Sequence, residues 1–118
     1  VSGDTDDAAI FRLLDDQYAR CILTATSDEP MSAKELGDAC DASLSTVYRR
    51  ADELQQHGLL DEYTKADEDG HHFSLYQATV KDINVEFDAG TVTVSVSRRS
   101  DPADRFAHIW DGIRESDQ

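Results

Sequence analysis

Residues 32–58 read SAKELGDACDASLSTVYRRADELQQHG and hold the signals for two short helices in succession. Ser32 and Glu35 form a capping box, in which the hydroxyl accepts from the Glu35 backbone N–H while the carboxylate reaches back. The helix it opens is short, with Leu36 and Ala39 expected to face inward, and Cys40-Asp41-Ala42 makes a tight connection. Ser43 then caps a second helix running to about His57, with Leu44, Val47, Ala51 and Leu54 on one face. Gly58 follows as a residue able to take the left-handed conformation that ends a helix. Two helices joined by three or four residues are the layout of a helix-turn-helix, whose second helix enters the major groove of DNA.

Working outward, the chain after Gly58 changes to a strand pattern. Segments 59–63 and 73–78 flank the polar tip Ala66-Asp67-Glu68-Asp69-Gly70, which reads as a β-hairpin, the wing, over about 59–78. A second hairpin is expected over about 83–97. There Ile83, Val85 and Phe87 alternate with polar residues, Ala89-Gly90 turns the chain, and Val92, Val94 and Val96 alternate back. Asp101-Pro102 opens a last helix over about 102–115, with Phe106, Ile109, Trp110 and Ile113 as its apolar stripe. Upstream, residues 6–26 read as one amphipathic helix carrying Ile10, Leu13, Leu14, Tyr18, Cys21 and Ile22, with Gln17 the polar exception, and Pro30 follows its end. The expected class is α+β: one winged helix-turn-helix domain over 1–118, its helix pair at about 32–57, with an added β-hairpin and a C-terminal dimerisation helix.

Helical geometry separates the faces of the second helix of the pair. With Val47, Ala51 and Leu54 inward, Ser45, Thr46, Arg49, Asp52 and Glu53 point outward and Tyr48 and Arg50 lie on the flanks. Arginine can donate two bonds to guanine, and a hydroxyl can bond to phosphate or a base edge. The stretch 43–50 holds two positive charges and no negative one, in a chain with 25 acidic residues against 11 basic and a net charge of −14. The competing reading is a solvated helix on which Arg49 and Arg50 pair with Asp52 and Glu53.

The overall charge bears on the environment. Lysine occurs only at positions 34, 65 and 81, and aspartate outnumbers glutamate. Self-repulsion of this size works against a compact fold in dilute salt, whereas at molar salt the Debye length shrinks to about 3 Å. The composition therefore points to a halophilic protein. Apolar residues interleaved with the acids argue against disorder. No apolar run approaches the roughly 20 residues needed to span a bilayer, and the acidic start of the chain is unlike a secretory signal, so a cytoplasmic location is expected. Cys21 and Cys40 fall in helical patterns without a CxxC motif and are expected as half-buried thiols, with a redox-sensing pair as the alternative.

The stretch MSAKELGDACDASLSTVYRRADELQQHGLLDEYTKADEDGHHFSLYQA, the second hairpin and SRRSDPADRFAHIWDGIRES together resemble haloarchaeal transcription regulators of the ArsR-like winged-helix group. The block SLSTVYRRADELQQHGLL carries the most specific part of the likeness. The resemblance implies DNA binding through Ser45, Thr46, Tyr48, Arg49 and Arg50, and dimerisation through terminal helices. Metal-sensing members of that wider family carry a Cys-x-Cys pair before the recognition helix. Residues 32–38 hold no cysteine, so a thiolate metal site is not expected.

At the wing tip Asp67, Asp69, His71 and His72 lie close together in sequence. Asp-x-Asp-Gly is like part of a calcium loop, but the further spaced oxygen ligands and the terminal glutamate are missing. An acidic hairpin tip turned by Gly70 is the preferred reading, and no metal or other cofactor is expected. Lys65, His71 and His72 are instead candidates to approach the DNA backbone, beside Ser43 at the start of the recognition helix. Neither a nucleophile elbow nor a glycine-rich phosphate loop is present, so an enzyme is not expected. The expected function is that of a sequence-specific regulator of transcription, a repressor occluding its promoter, which binds double-stranded DNA as a homodimer through Phe106, Ile109, Trp110 and Ile113. The alternative is a winged-helix module for protein–protein assembly without specific DNA binding.

Overall fold

The computed structural model describes residues 7–99, and the expected C-terminal helix with Phe106, Ile109, Trp110 and Ile113 lies outside them. Four helices lead into two hairpins: α1 (Asp7–Asp15), α2 (Gln17–Asp28), α3 (Ala33–Cys40), α4 (Leu44–Gln56), β1 (Leu60–Ala66), β2 (His72–Ala78), β3 (Val80–Asp88) and β4 (Thr91–Arg98).

The single first helix expected from the apolar stripe is two. Asp16 adopts an extended conformation (φ −85°, ψ 123°), and its carboxylate accepts from the Ala19 N–H at 2.8 Å. A short acid that can satisfy a free N–H favours a new N-terminus over continuing the old helix. The break removes the anomaly at Gln17, which stands exposed in the first turn of α2. Ile10 and Leu13 of α1 and Ala19 and Ile22 of α2 are buried, while Leu14, Tyr18 and Cys21 are half-buried.

The capping box of α3 forms as expected, with Ser32 Oγ accepting from Glu35 N at 3.2 Å and Glu35 Oε1 accepting from Ser32 N at 2.9 Å. Asp41 turns the chain in the left-handed region (φ 52°, ψ 49°), which aspartate tolerates better than most residues. Ser43 Oγ accepts from Thr46 N at 3.2 Å and starts α4. Val47, Ala51 and Leu54 are buried, but Leu44 is 50% exposed, because the apolar stripe overruns the core at the first turn. Ala39 is likewise exposed, and Ala33 joins Leu36 as the inward side of α3. At the other end of α4, Gly58 has φ 71°, a backbone conformation that calls for glycine, while the atoms nearest to where a Cβ would stand belong to the flexible Arg98 guanidinium.

β1 and β2 pair antiparallel from Leu60↔Ala78 to Ala66↔His72. The base of this wing is sewn to the helices: Met31 N donates to Tyr76 O at 3.0 Å, and Tyr76 N to Met31 O at 2.8 Å. β3 and β4 form a separate two-stranded sheet, longer at its open end than the sequence pattern suggested. Ala89 (φ 53°) and Gly90 (φ 80°) supply the two left-handed residues of its turn. Ile83↔Val96, Val85↔Val94 and Phe87↔Val92 stack on one face. Val94 reaches the core, while Phe87 at the tip is 83% exposed.

The two cysteines are not the free thiols expected. Cys21 and Cys40 are joined in a disulfide between α2 and α3, a pairing of positions 19 residues apart that only the packing of the two helices reveals. No helix among the described residues is long and apolar enough to cross a membrane.

Candidate nucleic-acid interface

The exposed side of α4 begins with a cluster of hydroxyls. Ser43 Oγ lies 3.2 Å from Ser45 Oγ and donates to Thr46 Oγ1 at 3.0 Å, at the end of the helix where unpaired N–H groups leave positive potential. Ser45, Tyr48 and Arg49 are exposed and Thr46 is half-buried. Arg49 forms no ion pair among the described residues, so its guanidinium stands free on the outward face.

Arg50 is held differently. Its Nε lies 3.0 Å from Asp16 Oδ2 and its Nη1 lies 3.2 Å from Glu53 Oε1. The Asp16 oxygen that caps α2 is the one that receives Arg50, so a single carboxylate ties the start of α2 to the middle of α4. The Glu53 partner fits a solvated-helix reading for this one residue, whereas the Asp16 partner, 34 residues away, has no local signal. Both side chains of the Asp16 pair are about three-quarters shielded, between the fully exposed and fully buried regimes. Arg50→Ala is accordingly expected to destabilise the domain by roughly 1–2 kcal/mol, read as a lowered midpoint in urea. A shift below a few tenths would mean that the ion pair contributes little.

The wing and the helix pair share one cleft of about 570 Å³. It is lined by Ser32, Lys34 and Glu35 from the start of α3, Tyr48 from α4, and Glu62, His72, Phe73, Ser74 and Tyr76 from the wing. The structure therefore brings Tyr48 and His72, two expected contacts, to a common surface. It adds Lys34 and Ser74, which sequence reading passed over. The signal for Lys34 was available, since it sits just after the capping residue of α3. Tyr76 forms part of the wall, and its hydroxyl pKa is raised from 10.0, first by burial and then by the charges of Glu62 and Tyr48. It stays protonated, and hence a donor, through the neutral range.

Lys65 and His71 stand further out on the wing and are exposed. Asp67 organises the tip: its Oδ1 accepts from Asp69 N at 2.9 Å and from His71 N at 2.8 Å, and its Oδ2 lies 3.6 Å from His71 Nδ1. Asp67, Asp69 and His71 each offer one ligand atom within 4.8 Å of the others, all on exposed side chains. His72 is not part of that group and belongs to the cleft.

A helix-turn-helix domain family matches residues 8–63. Among solved structures, the chain is similar to a possible transcriptional regulator from Methanosarcina mazei Go1, with a TM-score of 0.51, 16% identity, and coverage of 64% of this chain and 66% of that one. The chain thus spans just under two thirds of that regulator's length, and at this identity the likeness is one of fold. No curated protein sequence matches. Together with the hairpin wing, these findings give the described residues a winged helix-turn-helix fold, with the family match confined to residues 8–63. They do not single out the ArsR-like group or a haloarchaeal source.

Proposed function

We propose that this protein is a sequence-specific regulator of transcription, a haloarchaeal relative of the ArsR-like group, that represses by occluding its promoter. The observation that carries the reading is the N-terminal face of α4: three clustered hydroxyls, exposed Tyr48 and an Arg49 without an ion-pair partner among the described residues, on the helix that this fold presents to the major groove. Ser43, Ser45, Thr46 and Tyr48 position the helix on phosphate and base edges, Arg49 reads a base, and Lys65, His71 and His72 follow the backbone along the wing. Arg50 contributes through the angle of α4 as well as through its charge. Paired half-sites need a two-fold protein, and the stripe Phe106, Ile109, Trp110 and Ile113 supplies the apolar seam of a homodimer. A cytoplasmic location follows from the DNA partner.

Selection from a pool of random duplexes, followed by fluorescence anisotropy of the enriched sequence in molar KCl, tests this reading. Enrichment of a pseudo-palindromic site and binding as a dimer by light scattering are expected. A pool that stays random would overturn it in favour of a protein-assembly module, to which the acidic wing and exposed Phe87 would then belong.

The high-salt environment carries its own expectation. With a net charge of −14, the melting temperature followed by circular dichroism should fall as KCl is lowered from molar to ~0.1 M, where the Debye length grows to about 10 Å. An unchanged melting temperature would remove the halophilic part of the proposal.

A further inference from the structure

The bond between Cys21 and Cys40 joins the middle of α2 to the last residue of α3. Cys40 directly precedes Asp41, the left-handed residue of the turn, and stands three positions before the Ser43 cap of α4. At its other end α2 holds α4 through the Asp16–Arg50 ion pair. α2 therefore grips both members of the helix pair, one covalently and one electrostatically. Releasing the covalent grip acts on the turn that sets where α4 begins.

A protein that binds duplex DNA works in the compartment that holds DNA. There small-molecule and protein thiols keep most cysteines reduced, and the disulfides that do form are chiefly transient, catalytic or sensing. This step rests on the proposed function. The site is also reachable: both cysteines are half-buried and line a shallow cleft of about 340 Å³ with Gln17, Tyr18, Ala39 and Asp41. The fully buried side chains Ile22, Leu36, Val47 and Leu54 form the core of the helices, with Cys40 only partly buried at its edge, so the expectation is that the core persists when the bond is reduced.

We infer that Cys21–Cys40 is a reversible thiol–disulfide site that couples the redox state of small thiols to the order of the helix-turn-helix turn, and through it to duplex affinity. A dithiol is the reductant. One of its thiolates attacks one sulfur of the pair, the other sulfur leaves as a thiolate and takes a proton, and the second dithiol sulfur resolves the mixed disulfide. The products are two cysteine thiols and an oxidised dithiol. In reverse, a peroxide takes two electrons from the two thiols, leaving the disulfide and two molecules of water in the case of hydrogen peroxide. Asp41 in the cleft and the net charge of −14 favour an uncharged dithiol over an anionic thiol.

The full chain in molar KCl is treated with dithiothreitol, and then with hydrogen peroxide once the dithiol is removed. Three quantities are followed: free thiols, helical circular dichroism, and amide hydrogen exchange of peptides covering residues 41–46. Two thiols per chain should appear with the helical signal retained, and exchange over 41–46 should rise by about tenfold or more. Affinity for the selected duplex should fall by about 5- to 150-fold, the usual range of coupling between sites, and peroxide should return the thiol count, the exchange and the affinity to their starting values. A double Cys21→Ser, Cys40→Ser variant should behave as the reduced protein with or without dithiol. If that variant does not fold, the reduced wild-type chain supplies the same readout. Resistance to dithiothreitol until the chain unfolds, or unchanged exchange over 41–46 after reduction, would overturn the inference and leave a structural staple. Absence of duplex binding in both states, with exchange still responding, would sink the DNA reading while the redox coupling stands.

Discussion

Replacing Leu54 with alanine should destabilise the domain by about 2–5 kcal/mol, the range for truncating a fully buried leucine, against a total of roughly 5–15 kcal/mol for a domain of ordinary stability. Leu54 is 0% exposed and belongs to the cluster formed by Ile22, Leu36, Val47, Ala51 and Leu59. Its carbonyl also accepts from Leu59 N at 2.9 Å across the glycine that ends α4, so it lies where the recognition helix hands over to the wing. α4 packs against α2, α3 and β1, and it cannot slide inward to close a cavity here without moving the outward face. Urea unfolding at fixed KCl measures the change. Leu44→Ala is the matched control: it removes the same atoms from the same helix, but at a site 50% exposed, and should stay within about 0.5 kcal/mol of wild type. Equal losses at the two positions would mean that α4 is rotated from the orientation described.

That pair of leucines also shows what was legible in the sequence. Period and caps are local properties, so the Ser32–Glu35 box, the Ser43 cap, the Gly58 stop and both hairpins could be read from neighbouring residues. Whether a residue on the apolar stripe lies over the core or beyond its edge is a tertiary fact, and Leu44 and Ala39 were placed wrongly for that reason. Asp16 was hidden by composition. In a chain so rich in aspartate one more acid carried no signal, although its two partners, the Ala19 N–H and the Arg50 guanidinium, make it a joint of the fold. The disulfide was missed because its spacing matches no motif, and it depends on how α2 crosses α3. The recognition face was legible as a set of residue types on a helix. The division of labour between Arg49 and Arg50 was not, because it turns on a partner 34 residues away.

That division gives the most discriminating test of the interface. Arg49→Ala is expected to cost roughly 1–3 kcal/mol at the selected duplex and to relax preference at one base pair, as for loss of a bidentate base contact. Its guanidinium is exposed and unpaired among the described residues, so the substitution should leave the urea midpoint unchanged and act on binding alone. Arg50→Ala should do the opposite in part: it lowers stability through the lost Asp16 and Glu53 contacts and weakens all duplexes alike, because a shifted α4 loses register on every sequence. Removing any cation from a chain of net charge −14 disfavours approach to DNA, so a remote arginine must be changed as well. Arg98 does not suit, since its Nε donates to the Gly58 carbonyl at 2.9 Å and a substitution there disturbs the end of α4. Arg12, exposed on α1, is the better choice. Anisotropy over a KCl series separates the contributions, because lost phosphate contacts change the salt slope while a lost base contact changes the preference among sequences. Equal weakening by Arg49→Ala and Arg12→Ala, with base preference intact in both, would show that the outward face of α4 does not read DNA.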